Sequence, residues 1–178
     1  NKGDAAVLAL FDKKLSDSTQ PATSHVTLLR MLATMHERPA QKKTNIGEVL
    51  VDVAQRSGRR AMIMIISDLF DNISHLKKGL EHLAARKDDV IVFNLMDPQE
   101  REFKFDRLTQ FIGLEDYPEL LVDPRSLRKA YLEEVDRFSN EVRRACLRAR
   151  SDYVAIDTGM PLEVSLQAYL AKRMGRRG

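Results

Sequence analysis

Short apolar runs alternate along this chain with stretches in which apolar residues recur at helical spacing. The clearest run covers residues 61–66 and is followed directly by Ser67 and Asp68. A short, continuous apolar run is typical of a strand that is covered on both faces inside a parallel sheet. Helical patterns on either side of it predict crossover helices. The pattern therefore predicts an α/β fold organised around this strand.

Three further apolar runs predict strands over residues 5–12, 90–97 and 153–158. Apolar residues at intervals of three and four predict helices over residues 24–37, 74–87 and 124–149, and a last helix that begins at Pro161. Another helix is expected between a capping box formed by Asn45 and Glu48 and a stop at Ser57-Gly58. Its predicted buried residues are Ile46, Val49, Leu50 and Val53.

Two segments are less regular. Residues 13–24 are polar and contain Pro21, which predicts a loop. Residues 102–105 alternate like an exposed strand, and residues 111–114 and 120–123 predict a strand pair around a turn at 116–118. Asp123-Pro124 is a typical start for the long helix that follows.

The composition is that of an ordinary globular protein and bounds the number of domains. The 178 residues are 43% hydrophobic and 31% charged, which predicts one well-packed domain over residues 1–178. No apolar run approaches the ~20 residues that span a bilayer, and no signal-peptide pattern is present. The single cysteine, Cys146, excludes an internal disulfide. We therefore expect a cytoplasmic location.

The net charge of +3 is mild, but basic residues cluster near the carboxyl terminus. Such clusters can bind phosphate or anionic lipid, although the more ordinary interpretation is the solvated face of helices. Aromatic residues are only 6% of the chain and are not interleaved with the basic ones, which disfavours a platform for single-stranded nucleic acid. We expect no nucleic-acid partner and no membrane contact for this segment. The residues of the basic alternative are Arg143, Arg144, Arg148, Lys172 and Arg173.

Four predicted strands end in an aspartate: Asp12, Asp68, Asp97 and Asp157. Carboxylates along one edge of a parallel sheet can bind a hard cation such as Mg²⁺, and they can equally cap the helices that follow. We favour capping for Asp12, Asp97 and Asp157. For Asp68, with its neighbours Ser67 and Asp71, a metal site and a capping role are both open.

Motifs of other chemistries are missing from the sequence. Neither GxGxxG nor GxxxxGK[ST] follows a strand, and HExxH and GxSxG do not occur. The segment SDLFD also lacks the second acid that a DxD aspartyl-phosphate site would offer. We therefore expect a protein that is not an enzyme.

In order along the chain, several segments resemble the bacterial family called domain of unknown function 58. They are GDAAVLALFD, IMIISDLFD, VIVFNLMDPQE, VDPRSLRKAYLEEVDRF, SDYVAIDTGMPL and LQAYLAKR. Members of this family are von Willebrand factor A-like proteins that are commonly encoded beside MoxR-type AAA+ ATPases. The resemblance implies a doubly wound, mostly parallel, Rossmann-like sheet with helices on both faces.

The same resemblance implies a noncatalytic binding module with a metal-ion-dependent adhesion site. In that site a threonine and an aspartate act together with a DxSxS segment, and they match Thr44 and Asp68. Ser67 and Asp71 are secondary metal candidates, and Asp12, Asp97 and Asp157 are candidates for partner binding. The implied partners are a MoxR-type AAA+ ATPase and an unknown client protein.

The chain departs from the family pattern at one point, because DxSxS does not occur in it. Thr44 and Asp68 alone offer too few ligands, so Mg²⁺ is expected only together with an upstream DxSxS segment. In the family, DxSxS follows the first strand of the sheet, which is also missing here. That strand would lie between the strands that end at Asp12 and Asp68. We therefore expect a fragment of a longer protein, in which these two strand edges pair directly or are filled by another copy through strand exchange.

Two other function classes remain as alternatives. Asp68 and Asp71, with Asp97 as a further candidate, are the acids that a Mg²⁺-dependent phosphohydrolase or nuclease would use. The basic residues near the carboxyl terminus are those that a nucleic-acid or membrane-surface binder would use.

Overall fold

The fold is a mixed α/β arrangement, seen in a computed structural model that describes residues 5–12, 14–19, 21, 23–37, 44–58, 60–111 and 120–175. The strands are β1 (Ala9–Phe11), β2 (Leu15–Ser18), β3 (Met62–Ser67), β4 (Asp89–Met96), β5 (Thr109–Phe111), β6 (Leu120–Val122) and β7 (Asp152–Asp157). The helices are α1 (His25–Glu37), α2 (Ile46–Arg56), α3 (Ile73–Ala85), α4 (Pro98–Glu102), α5 (Pro124–Arg148) and α6 (Leu162–Gly175).

A three-stranded parallel sheet with the order β3-β4-β7 forms the centre of the fold. Met62 of β3 is paired with Asp89 of β4, and Ile91 of β4 is paired with Asp152 of β7. Helix α3 connects β3 to β4, and α5 is the main crossover from β4 to β7. Such helical crossovers are what a parallel sheet requires. The carboxyl ends of all three strands therefore lie along one edge of the sheet.

Helices pack on both faces of this sheet. On one face, buried residues of α2, α3 and α5 form the larger core with alternate residues of β3 and β4, such as Ile65 and Val92. On the other face, Leu166 and Tyr169 of α6 pack against Ile91, Phe93 and Ile156. The predicted Rossmann-like α/β fold is confirmed.

The helix starts follow from local capping. The side chain of Asn45 accepts a hydrogen bond from Glu48 N at 3.5 Å, and Asp123 accepts one from Arg125 N at 3.0 Å beside Pro124. The predicted burial is also largely right for α2 and α3, except that Ala54 is buried where we predicted Val53, which is half-buried. The inward residues of α3 are Leu76, Leu80 and Leu83, as predicted.

Strand β3 is covered on only one face, so the prediction of two-sided burial is wrong for this strand. Ile63 and Ile65 are buried, whereas Met62, Met64 and Ile66 are 54%, 56% and 57% exposed. Helix α6 covers β4 and β7 but leaves β3 bare, and in the described part of the chain β3 pairs with β4 alone. The prediction holds for β4, where residues 90–94 are all buried.

The amino-terminal segment forms a separate two-stranded sheet. Strand β1 is shorter than predicted and pairs antiparallel with β2, although residues 13–24 were predicted to be a loop. Because β2 pairs with β1 within the described residues, and β1 and β3 belong to different sheets, the predicted direct pairing between the edges of β1 and β3 is wrong. A single chain does not test the alternative of strand exchange.

The segment before α5 also differs from its prediction. Residues 98–102 form the short helix α4, and Phe103 follows it in the left-handed conformation with φ of 45°, so no strand forms at 102–105. The ring of Phe103 stacks on that of Tyr131 with 4.2 Å between centroids, which anchors this segment to α5. The antiparallel pair β5–β6 is confirmed, and its predicted turn at 116–118 lies outside the described residues.

Over the described ranges, no helix is both long and apolar enough to cross a membrane.

Candidate functional site at the carboxyl ends of the strands

Three chain segments meet at the carboxyl end of β3. Asn45 N, just before α2, donates a hydrogen bond to the carbonyl oxygen of Asp12 at 3.4 Å. Ile46 N, in the first turn of α2, donates to Asp71 Oδ2 at 2.7 Å. The end of β1, the start of α2 and the loop after β3 are therefore joined.

Asp71 has a structural task at this junction. Its Oδ2 accepts the bond from Ile46 N, and its Oδ1 accepts one from Asn72 N at 2.5 Å. A carboxylate at the first turn of a helix satisfies an amide that has no partner inside the helix and interacts favourably with the helix dipole. Asp71 therefore couples the loop after β3 to the start of α2, and both of its oxygens are engaged.

Ser67 and Asp68 form a tight turn at the end of β3. Ser67 Oγ accepts a bond from Leu69 N at 3.1 Å and lies 3.4 Å from Asp68 Oδ1, which also accepts from Phe70 N at 3.3 Å. Leu69 is buried with a positive φ of 60°, so its side chain anchors the turn in the core. Asp68 itself is exposed at the surface.

The oxygen ligands at this junction do not fit a Mg²⁺ site. Thr44 is half-buried directly before Asn45, in the segment that meets the loop containing Asp68. Because both oxygens of Asp71 accept hydrogen bonds from amides, the exposed carboxylate of Asp68 and the hydroxyls of Thr44 and Ser67 remain as possible metal ligands. An octahedral Mg²⁺ requires more fixed oxygen ligands than these. Across the described ranges, no group of three His, Cys, Asp or Glu side chains is arranged to hold a metal ion.

The aspartates that end β4 and β7 lie at a neighbouring point of the same edge. Asp97 caps α4, since its Oδ1 accepts from Gln99 N at 2.7 Å and Glu100 completes a capping box. Asp157 accepts from Gly159 N at 2.9 Å and forms an ion pair with Arg101 at 2.9 Å. Thr158 Oγ1 lies 3.4 Å from Asp97 Oδ2 and links the two strand ends.

Asp12 closes the turn between β1 and β2, where its Oδ1 accepts from Lys14 N at 3.3 Å. Asp97 thus caps the helix that follows it, as we favoured, whereas Asp12 and Asp157 accept hydrogen bonds within turns and not from the first turn of a helix. Their predicted role in partner binding stays a prediction.

A polar pair inside the sheet was missed by the sequence analysis. Asn94 of β4 is 1% exposed, and its Nδ2 donates to the hydroxyl of Tyr153 at 3.0 Å. Its Oδ1 is buried and has no hydrogen bond to any described residue. The sequence did indicate a buried polar group here, because Asn94 is the one polar residue inside the apolar run VIVFNLM.

Two ion-pair clusters at the opposite, amino edge of the sheet were also missed. Asp88, whose side chain is fully buried, accepts from Arg86 Nε at 2.9 Å and from Ala61 N at 3.0 Å. Arg173 of α6 binds Asp152 at 3.0 Å and also binds Asp89 and Tyr169. Arg173 is therefore a structural residue that holds α6 to β4 and β7, although the sequence analysis counted it among the free basic residues.

A comparison with protein-family models finds one that covers most of the chain. The model described as "Protein of unknown function DUF58" matches residues 1–141. The chain belongs to the DUF58 family. The match to DUF58 ends inside α5, so β7, α6 and the Arg173 cluster lie beyond it. Neither the comparison with curated proteins nor that with solved structures found a match.

Proposed function

We propose that this DUF58 chain is a noncatalytic protein–protein interaction module that acts with a MoxR-type AAA+ ATPase in the assembly or activation of a client protein. The observation that carries the proposal is the open edge and bare apolar face of β3. The ATPase is the partner implied by the family resemblance.

The open side of β3 has the features of a strand-docking surface. Three apolar side chains, Met62, Met64 and Ile66, are more than half exposed on one face. On the described part of the chain, the backbone of β3 is paired on the β4 side alone. An exposed strand edge offers a row of backbone donors and acceptors to an extended segment of another protein.

The width of the surface indicates the shape of the partner. Neighbouring strands are about 4.8 Å apart, whereas a helix with its side chains is about 10 Å wide. A helix alone would therefore overhang β3 and leave the strand edge unpaired. We infer that the partner adds a strand to β3 and covers Met62, Met64 and Ile66 with a segment that follows this strand.

The carboxyl edge supports a binding role better than a phosphohydrolase. A two-acid mechanism needs both Asp68 and Asp71, but Asp71 is engaged by the amides of Ile46 and Asn72. Thr44 and exposed Asp68 are then the remainder of an incomplete adhesion-type site. In this proposal they contact the partner at the end of β3 and carry out no chemistry.

The proposal is tested by capture of a purified MoxR-type ATPase on the immobilised 178-residue chain, in which β3 has this edge, with and without ATP. We expect capture, and we expect the double variant Met64→Lys/Ile66→Lys to weaken it by about tenfold or more, because binding would bury two unpaired charges. Leu108→Lys is the matched control, since Leu108 is 67% exposed and lies outside the parallel sheet.

Four outcomes would contradict the proposal. The ATPase is not captured in either nucleotide condition, or the β3 variant captures it as well as the wild type does. Alternatively, the protein hydrolyses phosphate esters with Mg²⁺ or Mn²⁺ and loses this activity in Asp68→Ala, which would favour the phosphohydrolase. A self-association that the same β3 variant abolishes would assign the open edge to a second copy of the chain.

A further inference from the structure

The last two turns of α5 carry a basic surface that the proposed function does not use. Arg143, Arg144 and Arg148 are exposed there, and Leu147 lies between them with 77% of its surface accessible. Residues three and four apart on a helix are neighbours, so Arg143 and Arg144 flank Leu147 directly. Exposed Arg150 follows at the end of the helix.

The charge of this surface is not balanced by nearby acids. Within the ranges that the structure describes, no ion pair engages the side chains of Arg143, Arg144, Arg148 or Arg150. The preceding acid on the helix, Glu141, pairs with Lys77 at 3.7 Å. The next acid along the chain is Asp152, which is bound by Arg173. Interaction with the helix dipole explains a cation in the last turn, such as Arg148, but not Arg143 and Arg144, which lie further from the helix end.

The end of α6 lies at the same end of the molecule, on the opposite face of the sheet from α5. Arg173 binds Asp152, the first residue of β7, and β7 begins four residues after α5 ends. Lys172 is exposed beside Arg173, and Met174 is 75% exposed. Leu147 and Met174 are the two most exposed large hydrophobic side chains among the described residues. Leu147 lies between unpaired arginines, and Met174 follows the ion-paired Arg173 on α6.

We propose that this surface, the basic end, binds anionic lipid headgroups at a membrane surface. The basic end is formed by Arg143, Arg144, Leu147, Arg148, Lys172 and Met174. Its cations are complementary to the negative potential of anionic leaflets. Its two protruding aliphatic side chains enter the boundary between headgroups and acyl chains, as apolar residues of interfacial proteins do.

The chemistry of the basic end favours lipid over nucleic acid. A single-stranded nucleic-acid platform requires aromatic side chains on which bases stack. None of the residues of the basic end is aromatic, and Tyr169 of α6 is packed against Phe93. The inference is independent of the proposed function, since β3 and β7 are the opposite edges of the three-stranded sheet.

The test is flotation of the intact chain with vesicles of phosphatidylcholine alone or mixed with phosphatidylserine. We expect binding to the mixed vesicles alone, with an affinity that falls as salt is raised. Each removed cation costs about fivefold in affinity, so Arg143→Gln/Arg144→Gln/Arg148→Gln is expected to lose on the order of a hundredfold. Lys78→Gln/Lys129→Gln is the control for charge removal, since both lysines are exposed on helices outside the basic end.

A second set of variants tests whether the side chains of Leu147 and Met174 contribute to lipid binding. Leu147→Ser/Met174→Ser is expected to remove the binding that persists at high salt, whereas Leu28→Ser, at a 50% exposed position of α1, leaves it unchanged. Circular dichroism of each variant checks that the fold is kept. The proposal is overturned if the wild type does not bind the mixed vesicles, or if the arginine variant binds them as well as the wild type. Binding to duplex DNA in preference to vesicles would also overturn the assignment to lipid.

Discussion

Single carboxylates hold neighbouring elements of this chain together at the carboxyl edge of the sheet. Asp97 and Asp123 cap the helices that they precede, whereas Asp71 caps a helix that begins 25 residues earlier in the chain. The local caps could be predicted from the sequence, because the acid and the helix start are adjacent. The task of Asp71 could not, since it depends on the tertiary approach of α2 to the end of β3.

The first prediction concerns Asp71. Replacement by alanine removes the acceptor of Ile46 N and of Asn72 N, and loss of a helix cap costs about 1–2 kcal/mol of unfolding free energy. The measurement is the urea unfolding midpoint. Asp68→Ala is the control, because exposed Asp68 makes only weak turn contacts and its removal is expected to cost less than about 0.5 kcal/mol. Equal destabilisation by the two variants would contradict the assigned roles.

Cys146 gives a prediction about pH. It is fully buried in the larger core, and burial raises the pKa of its thiol to about 12 from 9.0. Below pH 9 both the folded and the unfolded state keep the proton. Between about pH 9 and 12 only the unfolded thiol ionises, so stability should fall by about 1.4 kcal/mol per pH unit from this group.

The measurement is the unfolding free energy as a function of pH for the wild type and for Cys146→Ala. The variant is less stable throughout because of the cavity that it leaves, so the informative quantity is the difference between the two slopes. If the two slopes are equal from pH 8 to about 12, burial does not perturb the pKa of this thiol.

At the scale of elements, α2 and α3 pack so closely that glycine is required where they touch. A Cβ on Gly79 would lie 2.9 Å from Leu50 Cβ, and a Cβ on Gly47 would lie 2.8 Å from both the Cβ and the carbonyl oxygen of His75. A backbone carbonyl cannot move away as a flexible side chain can. The contact between the helices therefore depends on Gly47.

Gly47→Ala should accordingly destabilise the protein by about 1–3 kcal/mol, although alanine is the better helix former. Gly175→Ala is the matched control, because nothing lies within 4 Å of a Cβ at that position near the end of α6. Thermal unfolding of the two variants checks the prediction. A stabilised Gly47→Ala would mean that the two helices are not in close contact.

The elements that the sequence predicted well are those with long-range periodicity or local caps, such as α3, β4 and α5. Strand β2 was missed because four residues in a polar segment show no alternation, and their pairing with β1 decides their conformation. The prediction of a strand at 102–105 is wrong because the capping box at Asp97 and Glu100 starts a helix that extends to Glu102.

At the scale of the whole molecule, the DUF58 family and the α/β architecture could be predicted, but the surroundings of β3 could not. The continuous apolar run in β3 is the same signal as that in β4, yet β4 is covered on both faces and β3 on one. The apolar character of a residue indicates that its side chain is to be buried, but it does not identify the element that buries it. That Ser67, Asp68 and Asp71 follow β3 could likewise be predicted from the sequence. The hydrogen bond from Ile46 N of α2 to Asp71 could not.

The buried pair of Asn94 and Tyr153 has a consequence for how the chain folds. The apolar side chains of β3, β4 and β7 resemble one another, so several alignments of these strands would bury similar areas. In the native alignment, the amide of Asn94 reaches the hydroxyl of Tyr153. A shifted alignment would leave the buried amide of Asn94 without this bond, at a cost of about 1–3 kcal/mol. The pair therefore favours the native alignment of β7 with β4 over shifted alignments of these two strands.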